Sequence, residues 1–447
     1  MTDLNLSSSA AAERDALLRD QIAYNLRSPF YRRRFAELGV DPTKVRTVAD
    51  LDELPVFLRP QEHRILQERS LQADGHAFGD FLCADVRDVV SVSSTSGTTG
   101  TPILYASTKA DVALTNETWE RAFRFIGMRP GDGAIVGFGL SMYLAGVPLV
   151  RALEAAGMRT VAVGAESGTV KLLRLIDIMR PRVLACTPSY AEHLIERAPE
   201  VLGRSAADLG IEILLCAGEP GAGLPAVRRK LSEGWGGAQV HDILGGIHGV
   251  INVSCDANEY QGMHVLSPDY AVTTQLVDPT TKERIEVTDG AIGERVKTAL
   301  RWEAAPPFRY SVGDIYQVFT EPCACGFDTE RIKVIGRVDD LLIVKGVKVY
   351  PSAIKDVAAS FVPELSGELR IVLDQPPPRV VPPLCVTIES GADTPPSRYE
   401  ELAGSFASAM HQRLSIRPKV TVVEAGTLPR ASHKVQLLEV KAPRAGF

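Results

Sequence analysis

Between residues 130 and 245 the chain alternates short, apolar, β-branched runs with longer amphipathic stretches. That alternation constrains the fold more than any other feature. Strands are predicted at 134–138, 160–163, 182–186 and 212–216, and helices at 147–156, 170–179 and 189–197. A helix between successive strands returns the chain to the same edge, so the strands run parallel. The segment therefore reads as parallel α/β architecture. Residues 13–40 are helix-like, with Leu17, Leu18, Ile22 and Leu26 on one face and Pro29 interrupting. Residues 270–335 read as strand-rich, with Gly and Pro punctuation. After Gly336 the character changes to an αβ unit, with strands at 369–373 and 384–388 and a helix near 397–414. A boundary at 337–340 divides the chain into 1–337 and 338–447.

At 447 residues, two or three domains are expected. The net charge of −6 argues against general affinity for nucleic acid or anionic membrane. No apolar stretch is long enough to span a bilayer. Residues 1–12 lack a basic start followed by an apolar core, so no secretory signal is expected. Seven cysteines at low density point to a reducing compartment, with the cytoplasm as default.

Residues 93–102 read Ser-Ser-Thr-Ser-Gly-Thr-Thr-Gly-Thr-Pro between two apolar, β-branched runs. This is the pattern of strand, tight polar loop and second strand. Gly97 and Gly100 let the backbone approach a ligand closely, while Thr95, Ser96, Thr98 and Thr99 add hydroxyl donors. Such a concavity suits a polyphosphate, although a flexible linker has the same composition. It is not a Walker A loop, because no Gly-Lys-Ser/Thr follows at the required spacing.

The loop resembles the phosphate-binding signature of adenylate-forming enzymes, the acyl-CoA synthetase superfamily. Other segments are similar in the same order. Residues 28–35 and 51–55 resemble the N-terminal region of phenylacetate–CoA ligases. Cys186-Thr187-Pro188-Ser189-Tyr190 and Gly218-Glu219-Pro220 resemble two internal signatures of that branch. Residues 309–314 resemble the segment whose aspartate, here Asp314, binds the ribose hydroxyls of ATP. Gly336-Arg337-Val338-Asp339-Asp340 resembles the hinge motif, with Asp339 as pivot, and residues 345–351, including Gly346, continue as in that branch. Residues 428–434 resemble the C-terminal segment that carries the catalytic lysine, Lys434.

The resemblance implies a fold: a large N-terminal α/β domain with parallel sheets and several layers, plus a small mobile C-terminal αβ domain. It also implies a two-step reaction. A carboxylate attacks the α-phosphorus of ATP, giving an acyl-adenylate and pyrophosphate, and the thiol of coenzyme A then expels AMP. Lys434 would bridge the two anions of the first step, with magnesium accompanying ATP. Phe138, Leu140, Tyr143 and Gly245 fall at the carboxylate-substrate wall, and Tyr143 and the apolar Leu140 favour an aromatic or arylacetic acid over a long fatty acid. Relatives of this type are commonly dimeric, so a homodimer is expected. Delivery to an amine or a carrier-protein thiol is the alternative, and a degenerate, non-catalytic homologue is a second.

Three positions depart from the family pattern. Thr101 replaces the lysine that usually ends the phosphate loop. The segment usually reading Asp-x-Tyr-Gly-x-x-Glu is here Asp242-Ile243-Leu244-Gly245-Gly246-Ile247-His248. Leu244 can pack on adenine without an aromatic face. His248 stands where a carboxylate would hold magnesium, and imidazole is a poor ligand for that hard cation. Three outcomes stay open. His248 contacts phosphate or substrate, magnesium is held by phosphates and water, or adenylation is impaired.

Cys255, His264, Cys323 and Cys325 supply three thiols and an imidazole, a complete tetrahedral zinc set. Some phenylacetate–CoA ligase relatives have a similar arrangement that binds zinc. A closed set of four ligands leaves no position for chemistry, so the implied role is to tether two segments.

Overall fold

A computed structural model describes residues 8–94, 102–219, 221–246, 248–257, 260–428 and 437–441. It opens with α1 (Ser8–Asn25) and α2 (Pro29–Glu37). The Ser28 hydroxyl caps α2 by accepting the Phe30 N–H, and Pro29 sits where a missing donor costs nothing. After α3 (Pro60–Ala73), β1 (Val89–Ser94) and β2 (Leu104–Thr108) pair antiparallel, with Ser94 facing Leu104. The two strands expected on either side of residues 95–101 therefore form and pair, while residues 95–101 themselves lie outside the described residues.

α4 (Lys109–Phe125) starts from a capping box between Thr108 and Asp111. Then come β3 (Gly133–Val136), α5 (Val147–Ala155), β4 (Arg159–Ala162), α6 (Thr169–Met179), β5 (Val183–Cys186), α7 (Pro188–Leu202) and β6 (Ile213–Cys216). Every predicted strand and helix of this stretch forms, and the strands are parallel. β3, β5 and β6 are buried along their whole length, because helices cover both faces. α6, α7 and α8 (Pro225–Gly234) pack on one face around Leu172, Leu194 and Leu231. α4 and α5 pack on the other around Phe123 and Leu153.

β7 (Gln239–Gly246) changes partner at its midpoint. Residues 239–242 pair parallel with β6, and 243–246 pair antiparallel with β8 (Val250–Val253). From there the sheet continues through β9 (Met263–Val265), β10 (Ala271–Val277), β11 (Arg284–Ile285), β12 (Ile292–Ala299), β13 (Tyr310–Phe319) and β14 (Arg331–Arg337). The spatial order is β11-β10-β12-β13-β14-β9-β8-β7-β6-β5-β3-β4. The expectation of parallel sheets thus describes four of the eleven strand pairings of this sheet, those among β3 to β7. The other seven are antiparallel.

Beyond Arg337 the strands form separate sheets. β15 (Leu342–Val344) and β16 (Val347–Val349) make a hairpin, followed by α9 (Pro351–Ala359), β17 (Leu365–Leu373), β18 (Arg379–Val380), β19 (Cys385–Ser390), α10 (Tyr399–Leu414), β20 (Lys419–Val423) and β21 (Leu438–Val440). Their core, centred on Ile354, Leu369 and Phe406, draws only on residues from 342 onward. Among the described residues, no helix is long and apolar enough to cross a membrane.

Candidate active site and metal centre

The sequence-selected residues gather where the parallel strands end, the edge at which open α/β sheets bind ligands. β5 runs into Thr187, whose hydroxyl caps α7 by accepting the Tyr190 N–H at 3.3 Å. β6 runs into Gly218 and Glu219. Gly218 has φ +91°, a conformation that a side chain would strain. Glu219 is buried, and its Oε1 accepts the Ser189 N–H at 2.8 Å. Its Oε2 has no hydrogen-bond partner among the described residues. That orphaned, buried acceptor faces the start of α7 and is available to a ligand donor. Thr95, Ser96, Gly97, Thr98, Thr99, Gly100 and Thr101, with Pro220 and Lys434, lie outside the described residues.

Asp242 sits at the residue where β7 changes partner. Its Oδ2 accepts the Tyr260 hydroxyl at 2.7 Å, and its N–H donates to Ser254 Oγ at 2.9 Å. Burial pushes its carboxyl up to about 6, against the opposing pull of Tyr260 and Arg228. Leu244 is half-buried. It packs on the cluster of Met263, Val265 and Tyr316 inside the antiparallel half. Gly245 is covered by Leu144, whose Cδ2 would lie 2.5 Å from a Cβ there.

His248 is buried in a left-handed conformation, φ +71°, next to Gly249 at φ +69°. Its ring meets the edges of Tyr105 and Trp302, each 5.4 Å away by ring centroids. Tyr105 also approaches Tyr310, hydroxyl to hydroxyl at 3.4 Å. Behind them lies His63, its ring packed against Phe81, Tyr105 and Tyr310. Burial holds the His63 imidazole down to about 3, so its ring packs there uncharged. A recess opens in front of His248 and Trp302, lined also by Leu144, Pro148 and the hydroxyls of Ser93 and Thr115.

Phe138 and Leu140 pack into the core beneath α4 and α5, and Tyr143 is 41% exposed, so none of the three lines this recess. Trp302, His248 and Leu144 line it instead. Among the described residues no carboxylate lines it either. An imidazole wedged between two rings, with no acidic neighbour in the recess, does not fit a magnesium ion held by the protein.

Asp314 and Arg337 occupy facing positions on β13 and β14, with Nη1 2.9 Å from Oδ1. Asp339 is exposed in a single 3-10 turn, Val338–Asp340, directly after β14. Gly346 is exposed at the tip of the β15–β16 hairpin. Lys345 and Gly346 there have φ +50° and +84°, the left-handed pair that a two-residue hairpin turn requires.

The cysteine–histidine group is assembled. The four ligand atoms of Cys255, His264, Cys323 and Cys325 all lie within 4.8 Å of one another. Cys255 Sγ is 3.7 Å from Cys323 Sγ, and Cys325 Sγ is 3.4 Å from His264 Nε2. A zinc tetrahedron with arms of about 2.3 Å to sulfur and about 2.0 Å to nitrogen has edges of about 3.8 and 3.5 Å. The group therefore fits zinc. His264 Nδ1 lies 2.9 Å from Thr329 Oγ1, an outer contact that would orient the ring. Cys255 follows β8, His264 lies on β9, and Cys323 and Cys325 lie between β13 and β14.

Comparison with known proteins agrees with this geometry. Residues 346–439 match the family described as AMP-binding enzyme C-terminal domain. The phenylacetate–coenzyme A ligase of Thermus thermophilus is 34% identical over 353 residues, 78% of this chain and 74% of that one. The crystal structure of 2-hydroxyisobutyryl-CoA ligase in its postadenylation state, with 2-HIB-AMP, superposes with a TM-score of 0.85. It is 25% identical and covers 98% of this chain and 90% of that chain. The same ligase in its thioesterification state scores 0.67 at the same 98% coverage. The fold is thus that of the adenylate-forming enzymes. The chain belongs to the phenylacetate–CoA ligase-like branch of that superfamily, as an AMP-forming acid–CoA ligase.

Proposed function

We propose that the acid is aromatic or arylacetic. The observation that carries this reading is the recess in front of His248, walled by the Trp302 and His248 rings and floored by Leu144 and Pro148. An aryl ring gains most from apolar and edge-to-face contacts of this kind. In the first step a carboxylate oxygen attacks the α-phosphorus, and the pyrophosphate oxygen leaves with the bond electrons. The 95–100 loop holds the phosphates, Asp314 the ribose diol, and Gly218, Glu219 and Pro220 the adenine side, with Asp242 beyond. Lys434 bridges the two anions. Position 248 offers magnesium no carboxylate, so any magnesium would have to be supplied with ATP. In the second step the coenzyme A sulfur attacks the acyl carbon, and AMP leaves.

One small domain serves both steps if residues 338–447 turn about Asp339 and exchange Lys434 for the Gly346 hairpin. The contrast between TM-scores of 0.85 and 0.67, at equal coverage, supports an arrangement of the two parts nearer the postadenylation state. Cys255, His264, Cys323 and Cys325 hold a structural zinc that ties the β13–β14 connection to β8 and β9.

A pyrophosphate-release screen tests the substrate. It should span benzoates, arylacetates, indole and heteroaromatic acids, with small 2-hydroxy acids beside them. Aromatic acids are expected to lead in kcat/KM. The hydroxyls of Ser93 and Thr115 in the recess favour a hydroxylated aliphatic acid instead, and a lead for that class would overturn the aromatic reading.

A further inference from the structure

The recess in front of His248 changes character along its length. β1 and β2 set Ser93 opposite Tyr105 and, two residues nearer the start of β1, Ser91 opposite Ser107. All three serines line the recess. The first rung stands beside the rings, because Tyr105 meets the edge of His248. The second stands about 7 Å away, two residues along an extended strand. There a pair of half-buried serines meets Arg151, whose Nη1 donates to Ser91 Oγ at 3.2 Å. Arg151 lies one helical turn beyond Pro148 on α5, so the helix that floors the recess also carries its cation.

Among the described residues, Arg151 is the only lysine, arginine or carboxylate on the recess. Its charge is not met by the protein. Glu154 stands three residues on along α5, the spacing at which Arg34 pairs with Glu37 and Arg197 with Glu200. Arg151 makes no such pair among the described residues and turns to the neutral Ser91 hydroxyl instead. A guanidinium holds five N–H donors in a planar fork that matches a carboxylate, and the serine takes one of them. The remaining donors, the Ser91 and Ser107 hydroxyls and the uncompensated charge together make an anion seat at the far end of the recess.

We propose that the acid carries a second anionic group at the end remote from its reacting carboxylate, and that Arg151, flanked by Ser91 and Ser107, binds it. The assignment rests on the aromatic reading above and narrows it to aromatic acids with a second carboxylate opposite the first. The carboxylate to be activated lies at the His248 end. A single ring with para substituents spans the distance from there to the serine pair, between Trp302 and Leu144, and aims the second group at Arg151. An anion is favoured over a neutral hydroxyl because only an anion compensates the guanidinium.

The test compares kcat/KM for pyrophosphate release with phenylacetate, para-carboxyphenylacetate and para-(aminomethyl)phenylacetate. Wild type should prefer the dicarboxylate to phenylacetate by about 10-fold or more, the worth of one charge-assisted contact. In Arg151→Met that ratio should fall to within about threefold of one, and Arg151→Glu should turn the preference towards the amine. Each readout is a ratio between substrates on one protein, so a general loss of rate or of folded enzyme cancels. A wild-type ratio below about threefold overturns the proposal, and so does a ratio that Arg151→Met retains. Hexanoate and adipate run beside them as an aliphatic pair. If these lead, the aromatic reading fails, while the adipate-to-hexanoate ratio still reports on Arg151. If neither variant folds, the wild-type ratios decide alone.

Discussion

Arg337 and Asp314 face each other across β14 and β13, joined by a 2.9 Å contact between Nη1 and Oδ1. Arg337 is also the residue from which the 3-10 turn holding Asp339 departs. The carboxylate expected to hold ribose and the segment expected to pivot are therefore adjacent. Next to them, Gly336 admits the Tyr350 ring, which would lie 2.7 Å from a Cβ. Asp314→Asn removes one acceptor for the ribose diol and unpairs the guanidinium. The KM for ATP should rise about 10- to 100-fold. Preference for ATP over 2′-deoxy-ATP should largely vanish, and competition kinetics with the two nucleotides measures this directly.

Lys434→Ala addresses the step in which two anions meet. Removing the cation expected between them should lower pyrophosphate release about 100-fold or more. ATP binding should stay within a few-fold. Thioester formation from a preformed acyl-adenylate should also survive, because that half-reaction does not bring two anions together. Single-turnover assays of each half separate these outcomes.

Two ion pairs line a cleft between α7 and α8 on one side and α9 and β17 on the other. Lys230 Nζ meets Glu192 Oε2 at 2.6 Å on α8 and α7, and Lys355 Nζ approaches Glu368 Oε1 at 3.7 Å on α9 and β17. Burial raises the Glu192 carboxyl above its usual range, Lys230 and Lys355 oppose that, and Glu368 adds to it. Lys355→Glu would set a third carboxylate against Glu192 and Glu368 with one ammonium remaining. The present domain arrangement should weaken and adenylation slow several-fold, with the defect reduced by added salt. Stopped-flow pyrophosphate release at two ionic strengths reads both effects.

The zinc assignment has a stoichiometric consequence. Purified enzyme should carry about one zinc per chain, and Cys323→Ser should carry none. Loss of the staple between the β13–β14 connection and β9 should lower Tm by about 5 °C or more. Steady-state KM values should hold at temperatures well below the transition, because a closed four-ligand set touches no substrate. Elemental analysis with thermal melts checks both points.

The parallel half of the fold was legible because strands such as Val183–Cys186 are buried on both faces and read as unbroken apolar runs. The cysteine–histidine group was legible because its chemistry lies in residue type and needs no contact map. The role proposed for Arg151 was not. On α5 an arginine reads as a solvated face, and only the packing of α5 beside β1 brings it to Ser91. Phe138 was ambiguous for a related reason. Phe138 is apolar enough to serve core or pocket, and the core beneath α4 and α5 takes it. Trp302 gave a weak signal, a large ring in a polar turn after β12, that its sequence neighbours did not explain.

Asp242 makes a signed prediction about stability. Its folded carboxyl, near 6, lies above the ordinary value of 3.8 because burial disfavours the charge. Between those values the folded state binds more protons than the unfolded state, so stability falls as pH rises through the window. The stabilisation is fully present below about pH 4 and lost above about pH 6. Asp242→Asn keeps a carbonyl for the Tyr260 hydroxyl but never ionises. The variant should match wild type near pH 4 and exceed it progressively up to neutrality, by at most about 3 kcal/mol. Denaturant titrations at half-unit pH intervals measure the difference. A gap that shrinks on alkalinisation would mean that Asp242 ionises more readily in the fold than in the open chain.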